Sequence, residues 1–223
     1  MAGKLIVFEG TDGSGKSTQF GLLCALLEGR GVDFTRLIFP QYDQPSSALI
    51  RMYLGGEFGT RPGDVNPYAA SAFYAVDRYA SLKQVWGEFY QEGGLVLTDR
   101  YTTSNAVHQA VKCPQPEREG FLRWLDDFEH NKLELPRPDL VLYLDMPTRQ
   151  AVELLRRREA ETHTRGDIHE ADAAYLAACR VSALQAARLL GWRVIPCVDG
   201  AGALRSVEDI EQEVWSLVEP ALD

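Results

Sequence analysis

The sequence predicts a three-layer α/β fold in which a five-stranded parallel sheet lies between helices. Three observations predict it. Short apolar, β-branched runs alternate with longer stretches of helical periodicity along the 223 residues, the order expected of βαβ units. The runs LIVF, LVLT and LVLYL are apolar at nearly every position, as parallel strands covered on both faces require. Helix punctuation falls at the joins: Gly31 and Gly191 follow the first and last long helical patterns, and Pro138 precedes a strand.

In chain order, the first strand is expected over Leu5 to Phe8 and leads into a glycine-rich loop, after which Gln19 to Glu28 has a helical pattern. A second strand is expected over Thr35 to Phe39, then a long helical pattern from Ala69 to Tyr90, then a strand over Leu95 to Thr98. Arg118 to Phe128 is the next helical pattern, and Leu140 to Leu144 the next strand. Arg149 to Arg158 and Ala171 to Leu190 are helical patterns, and Arg193 to Val198 supplies the last strand. Between those two helices, Glu159 to Glu170 is charged, contains Gly166 and has no apolar face, which predicts a mobile segment. No repeat, low-complexity tract or linker divides the chain, so one domain over residues 1–223 is expected.

Lys and Arg total 23 against 32 Asp and Glu, a formal charge of −9. That balance argues against a broad nucleic-acid footprint or an anchor on anionic membranes, while a small anionic ligand still responds to the local field of its pocket. Cys24, Cys113, Cys179 and Cys197 lie far apart with no metal-ligand spacing, so reduced thiols and no structural zinc are expected. The apolar run near the N-terminus is too short for a signal-peptide core, and no segment approaches a membrane span; a cytoplasmic protein is expected.

Gly10, Gly15, Lys16 and Ser17 satisfy G-x-x-x-x-G-K-[ST], directly after an expected strand and before an expected helix. Glycines let the backbone wrap a phosphate, successive N–H groups and the helix N-terminus supply donors, Lys16 bridges terminal phosphates, and Ser17 offers a magnesium ligand. The segment Gly10 to Thr18, including Asp12, Gly13, Ser14, Gly15 and Thr18, therefore predicts a nucleoside-triphosphate site on a P-loop NTPase fold. By itself it does not separate a GTPase, an ATPase motor and a kinase.

Further segments narrow the choice. EGTDGSGKST, FPQYD, AVDRYAS, TDRYTTSN and RRRE followed by RGDIHEAD occur in the order and at the separations of thymidylate kinases, a family the chain resembles over nearly its whole length. The base-reading N-K-x-D of GTPases is missing, since NKLE lacks the Asp. The resemblance implies phosphoryl transfer from magnesium ATP to dTMP, giving dTDP, by a homodimer. An acceptor phosphate is already ionised, so such catalysis rests on aligning two polyanions and neutralising their repulsion rather than on a general base.

The resemblance also assigns roles. Arg100 is implied to clamp the acceptor phosphate and Asp99 to partner magnesium, directly or through water; both follow a buried strand at the end where ligands bind. Phe39, Pro40 and Tyr42 are implied to shape the acceptor pocket, with the Tyr42 hydroxyl reaching the phosphate. Arg78 is implied to face the base, Tyr74 to stack on it from one helical turn earlier, and Ser104 and Asn105 to lie near its edge. Asp12 matches a carboxylate that contacts the sugar 3′-hydroxyl. Two positions depart from the pattern: Tyr74 stands where phenylalanine is usual, and His108 where several relatives carry an aromatic residue crowding the sugar 2′ position.

The polar stretch becomes, by resemblance, a lid of about residues 156–170. One branch of the family places its catalytic arginine in the phosphate loop, at the position of Gly13 here, so the lid is expected to supply it through Arg158 or Arg165. Consecutive helix positions point in different directions, so Arg156, Arg157 and Arg158 cannot all face one phosphate. Asp167, His169 and Glu170 resemble a family arrangement at magnesium or acceptor, although helix capping accounts equally for Asp167 and Glu170. CVDGAG resembles a loop beside adenine and is also a plain turn signal. The rival readings are a kinase for another deoxynucleotide or a deoxynucleoside, and a nucleotide-binding module without catalysis.

Overall fold

The computed structural model describes residues 3–162 and 173–222. Its strands form one five-stranded sheet in the order β2-β3-β1-β4-β5, with β1 (Lys4–Gly10), β2 (Phe34–Ile38), β3 (Leu95–Asp99), β4 (Leu140–Asp145) and β5 (Arg193–Pro196). β2 runs parallel to β3, pairing Phe34 with Leu95 through Ile38 with Asp99, and β4 runs parallel to β5. The apolar runs are buried as expected: Leu5, Ile6, Val7 and Phe8 in β1, Val96 and Leu97 in β3, and Leu142, Tyr143 and Leu144 in β4. The last strand ends two residues early, because its partner β4 ends at Asp145, whose carbonyl takes the Cys197 N–H at 3.1 Å; Val198 instead bridges to Leu204 in an antiparallel turn.

The chain divides into two compact units that interleave in sequence. The first comprises Met1–Val7 and Phe34–Asp139. Its helices are α2 (Ala48–Leu54), α3 (Pro67–Ser81), α4 (Gly87–Gln91), α5 (Thr103–His108) and α6 (Arg118–Asp126). α3 starts cleanly because Asn66 accepts the Ala69 N–H and Pro67 takes the first turn. The long helical pattern expected over Ala69 to Tyr90 is not continuous: a π-helical turn, Leu82–Trp86, separates α3 from α4. A second π-helical turn, Asp127–Lys132, extends α6. Trp86, Tyr101 and Phe121 are fully buried, with Tyr101 in ring contact with Phe39, Trp86 and His130.

The second unit comprises Phe8–Asp33 and Leu140–Asp223. It holds α1 (Lys16–Gly29), α7 (Thr148–Thr162), α8 (Ala173–Leu190) and α9 (Val207–Leu222). α8 and α9 pack on β4 and β5, and α1 packs on α9. The Gln19 amide donates to the Val207 carbonyl at 2.8 Å, and the Arg30 guanidinium lies 3.9 Å from the Trp215 ring centroid. Gly31 and Gly191 follow α1 and α8 with φ of 69° and 73°, the left-handed helix endings expected of them. All four cysteines are buried, and none is in a disulfide among the described residues. Among the described residues no helix is long and apolar enough to cross a membrane.

Candidate active site

The phosphate loop leaves β1 at Gly10, whose N–H donates to the buried Glu9 carboxylate at 3.0 Å. Gly13 and Gly15 have φ of 79° and 82°, conformations in which an L side chain is strained. A Cβ on Gly13 would also run into the Ala151 carbonyl at the start of α7. An arginine side chain has no room at that position, which gives a steric reason for glycine there. Ser14 N–H turns back to the Thr11 carbonyl at 3.1 Å, and Gly15 O accepts from Thr18 and Gln19 to start α1. The N–H groups of Gly13 and Gly15 donate to no acceptor among the described residues. Ser14 Oγ, buried in the same loop, has no hydrogen-bond partner among the described residues. Unsatisfied donors at a helix N-terminus are what an anion would satisfy. Lys16 opens α1 with a buried side chain, while Ser17 and Thr18 are exposed and Asp12 is half-buried.

The same unit positions two further carboxylates. Asp145, at the end of β4, takes a bidentate pair from Arg180 of α8 at 2.6 and 2.9 Å. Asp199 in the CVDGAG turn accepts the N–H groups of Ala201 and Ala203, each at 2.9 Å. Cys197 lies 3.8 Å from the Ser14 carbonyl, and burial first, then Asp145, pushes its thiol up to about 12, so it packs rather than reacts. Arg156 and Arg157 are exposed on α7. The Arg158 side chain and Arg165, Asp167, His169 and Glu170 lie outside the described residues.

The acceptor residues other than Asp12 belong to the first unit. Phe39 N–H donates to the Asp99 carbonyl at 3.0 Å, which joins the ends of β2 and β3, and the Phe39–Pro40 peptide is cis. Asp77, fully buried on α3, holds the next turn by accepting the Gln41 N–H at 2.9 Å and the Ser46 hydroxyl at 2.6 Å. Arg51 of α2 braces it from the other side through the carbonyls of Tyr42 and Gln44. Tyr42 itself is exposed.

Arg100 follows β3 with φ of 68°, an uncommon conformation for a non-glycine residue. The Thr98 hydroxyl holds it there by donating to the Arg100 carbonyl at 2.7 Å. The Arg100 Nη1 reaches His108 Nε2, at the end of α5, at 3.1 Å. A guanidinium only donates, so this Nε2 accepts and the imidazole is the neutral Nδ1–H tautomer. Tyr74 sits in the fields of Tyr42, Tyr53, Arg100 and Arg78; burial, reinforced by the two tyrosines, holds its phenol well above its ordinary range, and it stays a neutral donor. Ser104 is half-buried in the first turn of α5. Tyr42, Tyr74, Arg78, Arg100 and His108 are therefore gathered by contact or field.

Arg78 and Asn105 are tied to a residue that the sequence did not single out. Glu129, in the second π-helical turn, accepts Arg78 Nε at 2.8 Å, Arg78 Nη2 at 2.5 Å and Asn105 Nδ2 at 3.0 Å. A signal for it existed. Phe121, Leu122 and Leu125 are the buried face of α6, and Glu129 continues that face four residues after Leu125, a charge where apolar residues belong.

The residues implied for magnesium are Ser17 in one unit and Asp99, buried at the end of β3, in the other. A hydroxyl and a carboxylate are hard oxygen donors that suit the ion. Magnesium keeps waters and takes substrate phosphate oxygens, so the lack of a cluster of three His, Cys, Asp or Glu among the described residues does not count against it.

The family model described as thymidylate kinase matches residues 8–201. The thymidylate kinase of Mycobacterium tuberculosis (strain H37Rv) is 32% identical over 171 residues, covering 76% of this chain and 78% of that protein. A probable thymidylate kinase of Pyrococcus horikoshii is 29% identical over 224 residues, covering 100% and 98%. Among solved structures, thymidylate kinase from Candida albicans aligns with a TM-score of 0.70 over 98% of this chain and 92% of that one, at 20% identity, a likeness of fold. The family match begins within β1, ahead of the phosphate loop, and runs through the acceptor motifs to the turn after the last strand; this chain belongs to the thymidylate kinase family.

Proposed function

We propose that this chain transfers the γ-phosphoryl group of ATP to dTMP, forming dTDP and ADP, as one kinase domain closed by a lid of about residues 156–170. The observation that carries this reading is the grouping of Arg100, Tyr42, Tyr74 and Arg78 in one field, cations and hydroxyls suited to an acceptor that already bears a phosphate. A deoxynucleoside acceptor would instead need a carboxylate base at its 5′-hydroxyl.

Each residue then has a task. The phosphate-loop N–H groups and the α1 N-terminus hold the triphosphate, and Lys16 neutralises its terminal oxygens. Arg100, steered by His108, draws in the acceptor phosphate. Tyr74 lies against the base, Asp12 meets the sugar 3′-hydroxyl, and Phe39, Pro40 and Tyr42 wall the pocket, with Ser104 near the base edge. Arg158 or Arg165 adds positive charge where it builds up on the transferred group. Magnesium, held by Ser17 and Asp99, would supply charge neutralisation between the phosphates. The resemblance further implies a cytoplasmic homodimer.

ADP release should require dTMP. Tight ATP binding without acceptor-dependent release would instead identify a binding module, and turnover with thymidine in place of dTMP a nucleoside kinase. Arg158→Ala or Arg165→Ala should lower kcat by about 10²- to 10³-fold while weakening dTMP binding far less. Unchanged turnover in both variants would remove the lid arginine from the mechanism.

A further inference from the structure

The Arg78–Glu129–Asn105 cluster is buried and charged, and the reaction described above leaves Glu129 without a task. Its side chain is 0% exposed, with Arg78 and Asn105 each at 2%. A full charge is held there only because its hydrogen bonds are made.

The bonding has a direction that chemistry enforces. Asn105 Nδ2 donates to the Glu129 carboxylate at 3.0 Å and to the Ser71 carbonyl at 3.2 Å. Both partners can only accept, so both amide hydrogens are committed. Turning the amide over would set Oδ1 against two acceptors, one of them ionised. Oδ1 is thus the atom left over, and it has no donor among the described residues. A ligand N–H would satisfy this acceptor.

Arg78 is constrained in the same way. Three of its five N–H bonds are taken, two by Glu129 and one by the Tyr101 carbonyl at 3.3 Å. One hydrogen remains on each of Nη1 and Nη2. Arg78 therefore offers donors and Asn105 an acceptor.

We propose that Glu129 is a positioning residue that sets this polarity, so that the pocket takes a ring edge with a carbonyl beside an N–H and rejects one with an amino group beside a bare nitrogen. Thymine and uracil carry the first edge and cytosine the second. The inference rests on the reading of Arg78 and Asn105 as base-facing residues of a nucleotide kinase. It adds the group that decides which way they face.

The test is Glu129→Gln, with Glu129→Asp beside it. Glutamine can keep the oxygen that accepts both Arg78 Nη2 and Asn105 Nδ2 only by setting its amino group against Arg78 Nε, and turned over it sets that amino group against Asn105; either way a base-facing residue meets a donor where it had an acceptor and loses its fixed orientation. In Glu129→Gln the KM for dTMP should rise more than kcat falls, and the ratio of kcat/KM for dTMP to that for dCMP should drop at least about tenfold. Glu129→Asp keeps the acceptor chemistry and should keep the wild-type ratio. A folded Glu129→Gln with the wild-type ratio overturns the proposal, since a merely structural glutamate would lower stability without changing base preference. Should Glu129→Gln fail to fold, competition against dTMP on the wild-type chain decides: dCMP and dTMP methylated at N3 should compete at least about a hundredfold more weakly than dUMP. Equal competition overturns the polarity. A wild-type chain that does not phosphorylate dTMP removes the functional reading and this inference together; one that does, with an unmoved ratio in Glu129→Gln, removes this inference alone.

Discussion

Arg100 combines a side chain suited to phosphate with a backbone conformation that side chains disfavour. Holding a non-glycine residue at φ of 68° costs on the order of 1–3 kcal/mol, and such strain persists only where neighbours over-determine it. Here Thr98 fixes the carbonyl and His108 meets the guanidinium. The contact gives His108 a part that its family position did not suggest: its Nε2 accepts from the arginine. His108→Gln can keep an acceptor there, whereas His108→Phe cannot. Initial rates should show a KM for dTMP raised about tenfold by His108→Phe, the worth of one hydrogen bond to a charged group, and a smaller change for His108→Gln. The motif residues were legible because phosphate chemistry demands particular residue types at set spacing. The pairings of Asp77 and Glu129 were not, because their partners Gln41 and Arg78 lie 36 and 51 residues away in sequence.

Among the elements, the π-helical turns separate what periodicity predicts from what forms. The pattern Ala69 to Tyr90 reads as one helix, yet it splits at Leu82–Trp86. α6 likewise widens at Asp127–Lys132, the turn that carries both Glu129 and His130. His130 Nδ1 donates to the Leu135 carbonyl at 2.9 Å, and burial lowers its pKa from the ordinary value of 6.5. The folded chain therefore binds this proton less readily than the unfolded chain. Stability from a neutral His130 is present above 6.5 and is lost as pH falls from there through the depressed folded value. Melting temperature measured from about pH 7.5 to 5.5 should fall, and His130→Gln should flatten that slope. The short helices α2 and α5, and α9 at the end of the chain, did not stand out in the sequence reading. α2 and α5 span only 7 and 6 residues, too few for a helical period to show.

For the whole molecule, ligand linkage gives a test that needs no turnover. A ligand that binds only the folded chain stabilises it by about 2.7 kcal/mol at a hundred times its Kd. For a chain of this size that is a rise in melting temperature of roughly 5–10 °C. dTMP should produce it, and thymidine, which lacks the phosphate that Arg100 and Tyr42 are read to hold, should produce much less. Equal shifts would place the affinity in the base and sugar alone. The sequence by itself determined the order of strands and helices, the phosphate loop and the family, because alternating apolar runs and glycine spacing are local properties that survive in one dimension. Only the tertiary structure decided which charged residues are buried and whom they face. A glutamate within DDFEHNK continues an apolar helical face, but its partners and the orientation of its neighbours are set by groups that are close in space and distant along the chain.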